Sequence, residues 1–165
     1  MALKVLVSGF EPFGGSHTNP SQLLVKELVQ EKIEGASLEA IVLPVEFDRA
    51  AELLLNKVRE IKPDVVVAFG QAEGRKAITP EKIAINLDNA RIPDNSGDQR
   101  QNQMIDKDGA DGYFTTLPTS EIIAGITSEG IPAELSLSAG AFVCNHVFYQ
   151  LQKSLKGTNV RSGFV

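Results

Sequence analysis

The segment "AFVCNHVFYQ", residues 141–150, holds the one cysteine of the sequence, Cys144, and one of its two histidines, His146. A thiol beside an imidazole has the composition of a nucleophile and its base. The flanking pattern favours the thiol. "LSAGAF" runs through small residues into "CNHVFYQLQKSLKG", which has helical spacing, so Cys144 falls near a helix start. Helix N-termini favour negative charge and lower a thiol pKa. The competing reading is an inert core thiol, the usual state of a lone cysteine. The pairing with His146 fails on geometry. Residues two apart on a helix point about 200° from each other. If Cys144 faces a site, His146 faces elsewhere, packing or capping between helix and sheet. His17 stays open as a base, although nothing in the sequence orients it.

Two further segments break local rules. "SGFEPFGGSHTNPS" sets Phe10 and Phe13 among glycines directly after a strand. Ligands of parallel α/β sheets gather at strand carboxyl ends. The two rings could wall a small apolar pocket there, or plug the end of the core. The glycines lack both the GK[ST] ending and the GxGxxG spacing of phosphate loops, which argues against a nucleotide site. "FGQAEGRKAITPEKIAINLDNARIPDN" carries Gln71 at a strand end, Glu81 and Arg91. A Glu and an Arg in one irregular region could orient a base and hold an anion, or form a surface ion pair.

The elements that must position these residues are legible. "LKVLVSG", "SLEAIVLPVEF" (broken at Pro44) and "PDVVVAFG" read as buried strands. Two helices separate them. The first, "NPSQLLVKELVQEKI", has Asn19 as its cap, Pro20 in its first turn and Leu23, Leu24, Leu28 and Val29 at helical spacing. The second, "DRAAELLLNKVREI", opens at Asp48. This βαβαβ order predicts an α/β fold with a mostly parallel sheet covered by helices. Downstream, "EKIAINLDNARI" and "PAELSLSAG" read as strands. The stretch from "PDNSGD" to "DGADG" reads as a polar surface loop, and "TSEIIAGITSEG" as a helix with a Ser/Thr cap. "VRSGFV" reads as the start of one more strand. A domain that closes as a strand begins reads as incomplete.

The 165 residues suit a single domain, residues 1–165, with a sizeable core. The net charge of −5 without basic runs argues against nucleic-acid or anionic-membrane partners. One cysteine forms no internal disulfide, which points to a reducing, cytoplasmic setting. No apolar run approaches the ~20 residues of a membrane helix. One Cys and two His are too few for a typical zinc site.

Taken together, "SGFEPFGG" with "NPS", "ITPEKIAIN" with "ARIPDN", and "AGAFVCNHVFY" resemble the type I pyroglutamyl peptidases, in order and along essentially the whole chain. The resemblance implies a cytosolic cysteine peptidase that removes N-terminal pyroglutamyl residues. It implies a three-layer α/β/α fold with a twisted, mostly parallel sheet, a homotetramer and no cofactor. It assigns the nucleophile to Cys144 and the triad carboxylate to Glu81. Phe10, Phe13, Ile92, Phe142 and Val143 would surround the lactam ring, Asn19 and Gln71 would supply polar contacts, and Arg91 would support the oxyanion region. The family's catalytic histidine follows a strand like "RSGFV", so the resemblance implies that it lies just past Val165 and that the family's last strand and helix are missing from residues 1–165. Two other readings stand beside this one: a protein that binds pyroglutamyl peptides without cleaving them, and an enzyme that uses His17.

Overall fold

The computed structural model describes residues 2–165. Strands β1 (Leu3–Phe10), β2 (Ala36–Leu43) and β3 (Val65–Ala68) alternate with helices α1 (Pro20–Leu28) and α2 (Phe47–Ile61). There follow β4 (Ile83–Ile85), β5 (Gly112–Phe114), α3 (Thr119–Ser128), α4 (Val143–Leu155) and β6 (Arg161–Phe164). The main sheet has the order β2-β1-β3-β6, and every pairing in it is parallel. Parallel neighbours require crossover connections, which here are helical, so helices cover both faces.

Alternation along the strands decides which face each side chain serves. Gly9 points at α1: a Cβ there would collide with the Ser21 backbone, so only glycine lets this helix settle on β1. Leu6, Ser8 and Phe10 point the other way and are buried. Their side of the sheet carries α2 and α4, which join them in one core with Leu54, Val66, Val147, Phe148 and Phe164. Phe164 stacks at a tilt on both Phe10 and Phe148, with centroids 6.4 and 5.9 Å apart.

Local signals held well in the first half. Asn19 caps α1, its Oδ1 accepting from Ser21 N at 3.0 Å, and Pro20 opens the helix. β2 stops at Leu43, just before Pro44. The second half departs from the periodicity in four places. The strand expected across "EKIAINLDNARI" shrinks to Ile83–Ile85 and leaves the main sheet for an antiparallel pair with β5. There Asn145 Oδ1 accepts from Ile85 N and Asn145 Nδ2 donates to Ile85 O and Leu87 O, displacing strand partners. β5 begins at the end of the stretch expected as loop. "PAELSLSAG" is no strand. It makes only single bridges, Ala133 to Ile78 and Ser136 to Glu81. Ser136 Oγ accepts from Ser138 N, and Ser138 Oγ from Gly140 N, so serine side chains take backbone groups a ladder would need. Finally, α3 has Pro118 at its cap position with no side-chain cap bond, so the expected Ser/Thr cap is absent.

Candidate functional site

The first turn of α4 assembles the centre. Phe142 precedes it in extended conformation and supplies no side-chain cap, so the first amides of the helix have no capping side chain. Each residue of "FVCNH" then takes a separate task. Phe142 and Val143 line a small pocket with Phe10, Phe13, Asn19 and Gln71. Cys144 opens onto that pocket and onto a larger groove. Asn145 pins the helix to β4 through the three hydrogen bonds above. His146 is buried, with Nδ1 2.9 Å from Asp88 Oδ2 and Nε2 3.4 Å from Asp48 Oδ1. Both its ring nitrogens face carboxylates, not the thiol, as the helical angle between positions 144 and 146 predicts.

The thiol is held protonated. Burial pushes the Cys144 pKa up to about 12, and the Glu81 charge adds to this. The backbone N–H groups of Gln71 and Cys144 and the Arg75 guanidinium pull it the other way without prevailing. Gly70 is the close neighbour that makes room. A Cβ there would lie 2.9 Å from Cys144 Sγ and 2.7 Å from the Phe164 ring.

Glu81 is buried beside the same groove. Its backbone N–H donates to Phe164 O at 2.9 Å, tying it to the end of β6. Arg75 Nη1 donates to Glu81 Oε1 at 2.9 Å and to Thr79 Oγ1 at 2.6 Å, and Arg75 Nη2 donates to Ser138 O at 2.8 Å. Glu81 Oε2 is buried without a hydrogen-bond partner among the described residues. A buried carboxylate oxygen left unpaired is costly, so it marks a place made for a donor.

The two cavities differ in size. The small pocket encloses about 10 Å³, roughly the space of one water. Phe13 tilts on Phe142 at 6.1 Å, and Phe47 meets Phe142 edge-on at 5.4 Å. A ring-sized guest enters only if the half-buried Phe13 and Phe142 part. Phe13 is followed by Gly14 and Gly15, both at positive φ, a turn suited to that movement. The groove is about 820 Å³, running past Leu23, Leu24, Ile78, Ile122, Ile126 and Val165 to Cys144 and Glu81.

Seven of the residues singled out from sequence therefore meet at one pocket: Phe10, Phe13, Asn19, Gln71, Phe142, Val143 and Cys144. Glu81 lines the groove onto which Cys144 also opens. Arg91 and Ile92 are exposed and line neither cavity; Ile92 stays near Gly14, at the edge of the Phe13 loop. The Glu–Arg pair that the sequence suggested exists, but the arginine is Arg75, because the turn after β3 brings it back over Glu81. Asn145 was also missed; a buried-type helix turn carrying an uncapped Asn was its only signal. Asn19 has both amide atoms engaged, Oδ1 with Ser21 and Nδ2 with Glu11 O. His17 is exposed and lines neither cavity. Among the described residues, no group of three or more His, Cys, Asp or Glu side chains is arranged to hold a metal ion. No helix among them is long and apolar enough to cross a membrane.

The pyroglutamyl peptidase family model matches residues 3–165. The pyrrolidone-carboxylate peptidase of Thermoanaerobacter sp. (strain X514) is 46% identical over 165 residues, covering 99% of this chain and 81% of the relative. That of Bacillus licheniformis is 47% identical over 167 residues, covering 100% and 78%. The crystal structure of pyroglutamyl peptidase I from Bacillus amyloliquefaciens superposes with a TM-score of 0.96 at 43% identity, covering 99% of this chain and 79% of that one. The chain belongs to the pyroglutamyl peptidase family of hydrolases.

Proposed function

We propose that the protein removes N-terminal pyroglutamyl residues by acyl transfer through Cys144, with Glu81 orienting the base. The Cys144 sulfur attacks the pyroglutamyl carbonyl carbon. A base takes the thiol proton and returns it to the departing amine, and water then hydrolyses the thioester. The backbone N–H groups of Gln71 and Cys144 would meet the developing oxyanion, with Arg91 supporting that region. The lactam would sit between Phe10, Phe13, Phe142 and Val143, with Ile92 at the rim and Asn19 and Gln71 offering polar contact. An uncharged, flat ring suits these walls, whereas a charged N-terminal amine would be stripped of water there without a counter-charge.

The single observation that carries this reading is the pairing of Cys144, at the uncapped start of α4, with a buried Glu81 whose Oε2 lacks a donor. Neither histidine of the chain meets that oxygen: His146 is bound to Asp88, and His17 is exposed. We infer that the base is a histidine supplied from outside residues 1–165, on polypeptide that continues from β6 as a strand and helix and covers the apolar groove. The match covers about four fifths of the relatives' length, which is compatible with such a segment. A homotetramer and a cytoplasmic setting belong to the same reading.

The test is release of a fluorescent amine from a pyroglutamyl amide, beside binding of 2-pyrrolidone. The 165 residues alone are expected to bind the lactam and to turn over little or no substrate, since loss of one triad member costs several powers of ten. Cys144-dependent turnover that vanishes in His17→Ala would place the base within the chain and overturn the external histidine. Absence of lactam binding by folded protein would overturn the pyroglutamyl assignment itself. Lactam binding without turnover even after the chain is extended through a histidine would favour a protein that binds without cleaving.

A further inference from the structure

Behind the first turn of α4, on the side away from the thiol, lies a charged cluster that the proposed reaction does not use. Arg100 is its hub: Nη2 donates to Asp48 Oδ2 at 2.6 Å, Nη1 to Asp88 Oδ2 at 2.9 Å and Nε to Asp98 Oδ2 at 2.9 Å. His146 completes it, with Nδ1 on Asp88 and Nε2 toward Asp48. Asp88 and His146 are both buried, and Arg100 is mostly so. Three carboxylates from α2 and the loop therefore share two cationic or donor groups. The inner members, Asp88, His146 and Arg100, are costly to break singly, whereas Asp48 and Asp98 stand at the exposed rim.

The cluster leads to the pocket through one ring. The Arg100 guanidinium lies 4.6 Å from the centre of the Phe47 ring. Phe47 meets the His146 ring edge-on at 5.7 Å and the Phe142 ring edge-on at 5.4 Å. Phe142 is at once the pocket wall and the residue whose carbonyl accepts the first bond of α4, from His146 N at 3.1 Å. His146 thus holds Phe142 twice, through the backbone and through Phe47, while Cys144 lies between them in sequence.

We propose that His146 is a positioning residue for the reaction. Held at Nδ1 by Asp88, with Nε2 buried 3.4 Å from Asp48 and without a hydrogen-bond partner among the described residues, and backed by Arg100, it sets the place of Phe142 and of the Cys144 turn, and so the closed state of the lactam pocket. This rests on the pyroglutamyl reading for the pocket's occupant, but not for the clamp itself. A role in packing alone would leave the thiol and the pocket unchanged in any variant that still folds.

The chain's single thiol makes the test direct. Alkylation of Cys144 by iodoacetamide at about pH 8 reads how often the turn opens, because a half-buried thiol reacts from the opened state. His146→Phe keeps an aromatic ring against Phe47 and removes both ring nitrogens, and with them the bond to Asp88. It is expected to raise the alkylation rate at least about tenfold and to lose protection by 2-pyrrolidone, with circular dichroism unchanged. His146→Asn, whose amide can donate from near the Nδ1 position, is expected to restore slow alkylation and protection. Asp48→Asn, at a side chain 76% exposed and so safe for folding, is expected to shift the rate in the same direction by about threefold. Equal rates in folded His146→Phe and wild type overturn the proposal. If His146→Phe does not fold, an unchanged rate in Asp48→Asn overturns it. If 2-pyrrolidone fails to protect wild-type Cys144, the pyroglutamyl reading falls, and the alkylation rates still decide the clamp.

Discussion

The pocket walled by Phe10, Phe13 and Phe142 and the groove lined by Leu23, Leu24, Ile122 and Ile126 share Gln71 and Cys144, yet treat their apolar surface in opposite ways. In the pocket, rings pack on rings until almost no space is left, and the walls run back into the main core through Phe10 and Phe47. In the groove, leucines stand open: Leu23 is 53% and Leu24 41% exposed. The pocket's shape is held by contacts inside the described chain. The groove's leucines have no such cover among the described residues, and the unpaired Glu81 Oε2 lies buried beside it. The packed pocket and the open groove are thus in different states of completion.

The sharpest way to break this contrast is Phe142→Ala. It deletes the ring that contacts both Phe13 and Phe47. A half-buried aromatic with two aromatic partners is expected to contribute about 2–3 kcal/mol, measured by urea unfolding. Lactam affinity should fall at least about tenfold in the same protein, because a wall of the pocket is gone. Full affinity in a destabilised but folded variant would show that Phe142 supports the core without shaping the pocket.

Gly70→Ala probes the junction of the two cavities. The added methyl would press on the Phe164 ring and on Cys144 Sγ at 2.7 and 2.9 Å, distances that force a shift. Overpacking at such a site is expected to cost about 1–2 kcal/mol. Because the sulfur must move, Cys144 alkylation should change as well. An unchanged alkylation rate, with stability lost, would mean that Phe164 alone yields and that the thiol sits more loosely than its neighbours imply.

How much of this could be read from sequence follows the range of the interactions. Asn19 capping α1, Pro20 opening it, and three apolar runs forming parallel strands are local matters, and each was legible. Cys144 at a helix start was legible because small residues precede a helical pattern. What stayed hidden is long-range. The cap of α2 comes from Asp94, whose Oδ2 accepts from Phe47 N at 3.0 Å across 47 positions. Burial disfavours that carboxylate, but hydrogen bonds from Ser96 and from the Phe47 and Asp98 amides outweigh it and hold its pKa below the usual range. Arg75 rather than Arg91 on Glu81, and Asn145 on β4, are likewise products of the turns that bring distant segments together. Periodicity misled in one respect. It marked Leu23, Leu24 and Leu28 as the apolar stripe of α1, while the residues that α1 buries are Ser21 and Val25. Spacing reveals that a face is apolar; it does not say which partner covers it.

That face supplies the smallest expected effect. In the pairwise variant Leu23→Ser with Leu24→Ser, two leucines are replaced where the described chain buries them only in part. Such substitutions are expected to change the stability of the 165 residues by no more than about 0.5 kcal/mol, and to reduce binding of an apolar dye. In a chain extended beyond β6, the same pair should cost several times more, because the groove would then be filled and the leucines buried. Equal, small effects in both proteins would mean that added polypeptide passes elsewhere. A large loss already in the 165 residues would mean that the groove closes on itself in solution, and the contrast with the aromatic pocket would disappear.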